Sequence, residues 1–87
     1  MQEKKTKVAV EIFGEEYKVI GDMPEEYIEM IAEYVDKKMK QIAAKNSRLS
    51  VTKVAVLAAL NIADELCKLQ EDYDTLVKLM DTEKKQA

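Results

Sequence analysis

Few side chains in this sequence are of types suited to covalent or acid–base chemistry. Cys67 is the single thiol, histidine is absent, and the seventeen carboxylates are scattered along the chain rather than grouped. Catalysis requires a positioned base, nucleophile or metal, and such a set is not visible here. Gly14 in "IFGEEY" stands alone, with neither a phosphate-binding loop nor a dinucleotide fingerprint around it, and no carboxylate spacing matches a calcium loop. Cys67 has apolar neighbours on a predicted helix, so it reads as a small buried hydrophobe rather than a reactive thiol. No catalytic site, metal or cofactor is expected.

Charge offers another kind of chemistry. Residues 1–36 hold ten acidic and four basic side chains, whereas residues 37–53 hold six basic ones (Lys37, Lys38, Lys40, Lys45, Arg48, Lys53) and no acid. Two readings of this positive end stand open: complementarity to a helix dipole, and a docking patch for an acidic protein. The net charge of −3 argues against broad binding to nucleic acid or to an anionic membrane. No apolar run approaches the roughly 18 residues of a spanning helix. A single cysteine and the absence of a leader-like apolar segment read as a reducing, cytoplasmic setting.

Several elements must position these groups. "VAVEIF" alternates Val8, Val10 and Ile12 against Ala9, Glu11 and Phe13, and "YKVI" alternates Tyr17 and Val19 against Lys18 and Ile20. Residues 8–20 therefore predict a β-hairpin whose short loop uses Gly14 at positive φ. "GDMPEE" follows with helix-start chemistry, in which Asp22 is expected to cap, Glu25 to complete a capping box and Pro24 to sit in the first turn. The helix to about residue 45 places Ile28, Ile31, Ala32, Val35, Met39 and Ile42 in one sector, and Asn46 is expected to stop it in a left-handed conformation.

From Ser50, the expected cap of a second helix, neither Gly nor Pro occurs. Ala55, Ala59, Ile62, Leu66, Leu69, Tyr73, Leu76 and Met80 are spaced alternately four and three apart, the pattern of a coiled-coil seam. Beyond Leu66 the flanks are polar. Before it they are apolar, so Val54, Val56, Leu57, Ala58 and Leu60 are expected to contact the first helix and hairpin. Asn61, off the seam, is expected to hydrogen-bond a loop or strand and fix the angle of the helices, with a contact to a partner as the alternative. The prediction is an α+β chain: a head of residues 1–50, with a hairpin at 8–20 and a helix at about 23–45, then a long helix over 51–87. The first part of that helix completes the head and the rest forms a coiled coil; only the ends, 1–6 and 82–87, are expected to fray. Each buried large aliphatic side chain contributes about 1.5–3 kcal/mol, so leaving this seam in water would forfeit much of a small domain's stability. An oligomer is expected.

"VAVEIFGEEYKVI", "YVDKKMKQI" and "KVAVLAALNIADEL" together resemble the ZapA family of cell-division proteins. The resemblance is carried by the hairpin around Gly14 and Tyr17, by Tyr34, Asp36 and Met39, and by Ala55, Ala58, Ala59, Leu60, Asn61, Ile62, Glu65 and Leu66. It implies a globular head with a C-terminal coiled coil, dimers that pair into tetramers, and binding to the tubulin-like GTPase FtsZ at the division site, where protofilaments are cross-linked. The positive end (Lys37, Lys45, Arg48, Lys53) and the hairpin-loop acids Glu15 and Glu16 are the expected docking residues. A ribbon-helix-helix DNA-binding dimer shares the strand and two-helix outline. It would need basic or amide side chains where Glu11 stands, and it has no use for a second strand.

Overall fold

The computed structural model describes residues 5–86, with side chains described for residues 5–81. Two seven-residue strands, β1 (Thr6–Ile12) and β2 (Glu15–Gly21), pair antiparallel with Val8 opposite Val19, Val10 opposite Tyr17 and Ile12 opposite Glu15. Two helices follow, α1 (Glu25–Lys45) and α2 (Val51–Gln86). The molecule is a flat wedge with extents of 55 × 47 × 15 Å.

The hairpin is one residue tighter at its loop than the sequence reading placed it. Ile12 pairs with Glu15, so the turn is Phe13–Gly14, with φ of 53° and 82°. Positive φ at both central residues is the signature of the hairpin turn whose twist matches its strands. Phe13, assigned by alternation to the outer face with Ala9 and Glu11, is thereby turned back against Met39, Val54 and Ala58.

The start of α1 differs from the expected capping box. Pro24 is the cap residue, no side chain caps the helix, and the Pro24 carbonyl accepts the N–H groups of Tyr27 and Ile28, each at 3.1 Å. A residue preceding proline is pushed out of the helical region, so Met23 cannot be helical and Asp22 stands too far upstream to cap. At the other end Asn46 is extended (φ −150°) rather than left-handed. Its Oδ1 accepts the N–H of Arg48 at 3.2 Å, a side-chain turn that competes with the helical backbone. Ser50 caps α2 as expected, its Oγ accepting the N–H of Lys53 at 3.2 Å.

Two small core clusters hold the head. Val8, Val10, Ile28 and Ala32 join the sheet to the first half of α1, and Met39, Val54 and Ala58 join its second half to α2. Burial falls off across the predicted α1 face. Ile28, Ala32 and Met39 are buried, Val35 and Ile42 are partly so, and Ile31, about 60° round the helix from Ile28, is 44% exposed.

The first half of α2 departs most from expectation. Val54 and Ala58 are buried against the head, but Val56, Leu57 and Leu60, expected to join them, remain exposed. At about 100° per residue Val56 and Leu60 point away from the side that carries Val54 and Ala58, and a hairpin with one helix covers only one side. Asn61 is exposed and makes none of the expected bonds to loop or strand. Cys67 is exposed rather than buried, because α2 has already left the head there. Of the ends expected to fray, Thr6 lies in β1 and α2 continues to Gln86; residues 1–4 and 87 lie outside the described residues.

Candidate interaction surfaces

α1 is tied to its neighbours on two sides by polar contacts. On one side Asp36 Oδ1 accepts the backbone N–H of Phe13 at 2.7 Å, while Asp36 Oδ2 pairs with Lys40 at 3.0 Å. The Phe13 hydrogen bond, then Lys40, holds the Asp36 carboxyl below the ordinary range. On the other side Tyr34 donates its hydroxyl to Glu65 Oε1, and Lys38 donates to Glu65 Oε2. The Lys38 ammonium lies 5.3 Å from the centre of the Tyr34 ring. Lys38 and then Tyr34 pull the Glu65 carboxyl down, and Glu65 in turn raises both the Lys38 ammonium and the Tyr34 hydroxyl. The i,i+4 spacing places Tyr34 and Lys38 on one side of α1, with Asp36 and Lys40 on another.

Sequence reasoning assigned no role to these contacts. Tyr34, Asp36 and Glu65 carried the family resemblance without one. The structure gives Tyr34 and Glu65 a link between helices and Asp36 a link to the turn, while Met39 takes the core place its helical sector predicted. The only signal available beforehand was the i,i+4 repetition of Tyr34 with Lys38 and Asp36 with Lys40.

Glu65 is also where the rod leaves the head, since every described side chain from Leu66 to Asp81 is exposed. The predicted seam lies bare along it: Leu69 is 67% and Tyr73 66% exposed, with Leu66, Leu76 and Met80 also in water. Nearer the head Ala55 and Ala59 are exposed and Ile62 is half-buried. That half of α2 carries a second apolar row as well, Val56, Leu60, Ala63 and Cys67. α1 adds an exposed stripe of Tyr27, Met30, Ile31 and Tyr34, with Met23 exposed just ahead of the helix.

The predicted docking residues fall into separate groups, all exposed. Lys45, Arg48 and Lys53 flank the connection between the helices. Lys37 lies about 12 Å earlier along α1, beside a shallow apolar depression lined by Met30, Ile31 and Tyr34. Glu15 and Glu16 leave the hairpin turn, and Glu16 stands directly opposite Glu11. The strand face that a ribbon-helix-helix protein would lay on DNA thus presents paired carboxylates, and β1 takes its partner strand from the same chain. Gly14 serves the turn as expected. Among the described residues no cluster of three or more His, Cys, Asp or Glu side chains is placed to hold a metal ion, and no helix is long and apolar enough to cross a membrane.

The architecture defines a class: a small α+β head, built from a hairpin and two helices, that carries a protruding helical rod with an uncovered apolar face. The family model described as cell division protein ZapA matches residues 8–86. Cell division protein ZapA of Geobacillus sp. (strain WCH70) is 40% identical over 83 residues, covering 95% of each chain. That of Geobacillus thermodenitrificans is 43% identical over 82 residues, covering 94% of this chain and 90% of the relative. Among solved structures, a ZapA mutant dimer from Geobacillus stearothermophilus superposes with a TM-score of 0.71 at 38% identity, over 91% of this chain and 92% of the other. The chain belongs to the ZapA family of cell-division proteins.

Proposed function

We propose that the chain is a non-enzymatic adaptor of bacterial cell division, working in the cytoplasm at the division site, that binds FtsZ and cross-links or bundles its protofilaments as a homodimer or dimer of dimers. The observation that carries this reading is the bare seam of α2, Ala55 to Met80. Leu66, Leu69, Leu76 and Met80 are each half to two-thirds exposed, so covering them would gain on the order of 1–2 kcal/mol apiece, a large sum for a head whose core is two small clusters. The solved ZapA relative being a dimer supports a second copy as the covering partner. Near the head, the extra apolar row of α2 and the stripe on α1 enlarge the surface such a copy would cover.

Self-association presents two or four heads on one particle. A second engagement along the same polymer is then intramolecular, which raises apparent affinity without new contacts. Lys45, Arg48 and Lys53, with Lys37 and the turn acids Glu15 and Glu16, are the proposed docking residues. The test is co-sedimentation with FtsZ polymers combined with electron microscopy. The reading expects more FtsZ in the pellet and laterally associated filaments, with binding weakened by salt and by Lys45→Ala with Arg48→Ala. Filaments that remain single, with no protein in the pellet, would overturn it.

A further inference from the structure

The apolar contact between α1 and α2 is centred where Val54 and Ala58 meet Met39, with Val35, Ile42, Ala43 and Leu49 packed round it and Ile62 half-buried one turn further on. A contact this short holds the helices together but constrains the direction of a 36-residue rod only weakly. A direction needs a second fixed point. The structure has one at Glu65, about 10 Å beyond Ala58 along α2, and no described side chain beyond it is covered.

We infer that Glu65 is a positioning residue that sets the angle between rod and head, held from α1 by Tyr34 and Lys38. Three features suit it to that task. Its two carboxylate oxygens are used separately, Oε1 by the Tyr34 hydroxyl and Oε2 by the Lys38 ammonium, so the carboxylate is fixed in orientation as well as place. The Lys38 side chain is only 17% exposed and lies over the Tyr34 ring, which limits its freedom to follow a moving partner. The lever is long as well: a 10° swing about Val54 moves the far end of α2 by about 8 Å. The angle is a property of the chain itself. Only its use, setting the spacing of two heads carried on one rod, rests on the adaptor reading.

The test is a pulsed electron spin measurement on the full chain, with spin labels at Lys18→Cys on the hairpin and Glu71→Cys on the rod in a Cys67→Ser background. Labelled chains are diluted into unlabelled ones so that only distances within a chain are read. Glu65→Ala is expected to broaden the head-to-rod distance distribution by about 4 Å or more, the arc of a 10° swing at residue 71. The exchange Lys38→Glu with Glu65→Lys is expected to narrow it again. Circular dichroism establishes that each variant is folded; if Glu65→Ala is not, Tyr34→Phe, which removes only the hydroxyl, is read in its place with the same expectation. An unchanged distribution in the folded variant, or an exchange variant as broad as Glu65→Ala, would overturn the inference. FtsZ enters neither arm, so failure of the adaptor reading leaves this result standing.

Discussion

The backbone N–H of Phe13 donates to Asp36 Oδ1 at 2.7 Å, across 23 positions of sequence. Phe13 holds φ at 53°, a conformation that costs a residue with a side chain roughly 1–2 kcal/mol. The carboxylate fixes the turn in that state, and the ring packs beneath it on Met39 and Val54. Strain at the turn is thus offset by one charge-assisted hydrogen bond and one apolar contact.

Asp36→Ala should therefore loosen the hairpin turn more than the rest of the head. The expected outcome is a lower melting temperature and faster amide exchange at Phe13 to Glu16, with little change in α2. Asp36→Asn, which keeps an acceptor oxygen, should fall between the two. Hydrogen exchange followed by NMR reads both effects.

Acid should weaken the same contacts. The Asp36 and Glu65 carboxyls are held below their ordinary range in the folded chain, so the unfolded chain takes up protons first as pH falls. Their stabilisation is present at neutral pH, starts to be lost below about pH 5, and is gone once pH drops beneath the folded values. The double variant Asp36→Asn with Glu65→Gln should show a shallower loss of stability on acidification, measured by urea unfolding at a series of pH values.

Gly14 gives a prediction free of packing. A Cβ there meets nothing within 4 Å, and φ is 82°, so any penalty is a backbone one. Gly14→Ala should cost roughly 1–2 kcal/mol, and Gly14→Asn less, since asparagine tolerates the left-handed region. Chemical denaturation of the two variants side by side checks the order.

Where the sequence was legible, periodicity fixed what a residue faced. Alternation placed Val8, Val10 and Val19 correctly, the helical repeat placed Ile28, Ala32 and Met39, and the absence of Gly and Pro gave α2 nearly its full length. Legibility failed where a partner decides the outcome. Apolar character alone could not tell Val54 and Ala58, which the head covers, from Val56 and Leu60, which it does not. The clasp on Glu65 joins residues 31 and 27 positions away, and neither local spacing nor composition encodes such a pairing. Asp22 and Asn46 misled because a neighbouring proline and a side-chain turn overrode good capping chemistry.

Leu69→Asp places a charge on the bare seam beyond the head. It should dissociate the assembly while leaving the head folded, since Leu69 touches neither core cluster. Helical content should fall mainly in the rod. FtsZ bundling should fall with it, and bundling that persists in a dissociated variant would argue against avidity as the mechanism.

Sedimentation equilibrium of the unmodified chain over a concentration series asks the central question directly. If α2 must be covered by another copy, the mass at tens of micromolar will be at least twice the 9.9 kDa of a single chain, with the rod helical. A folded particle with its rod helical that remains at 9.9 kDa across that range would contradict the account.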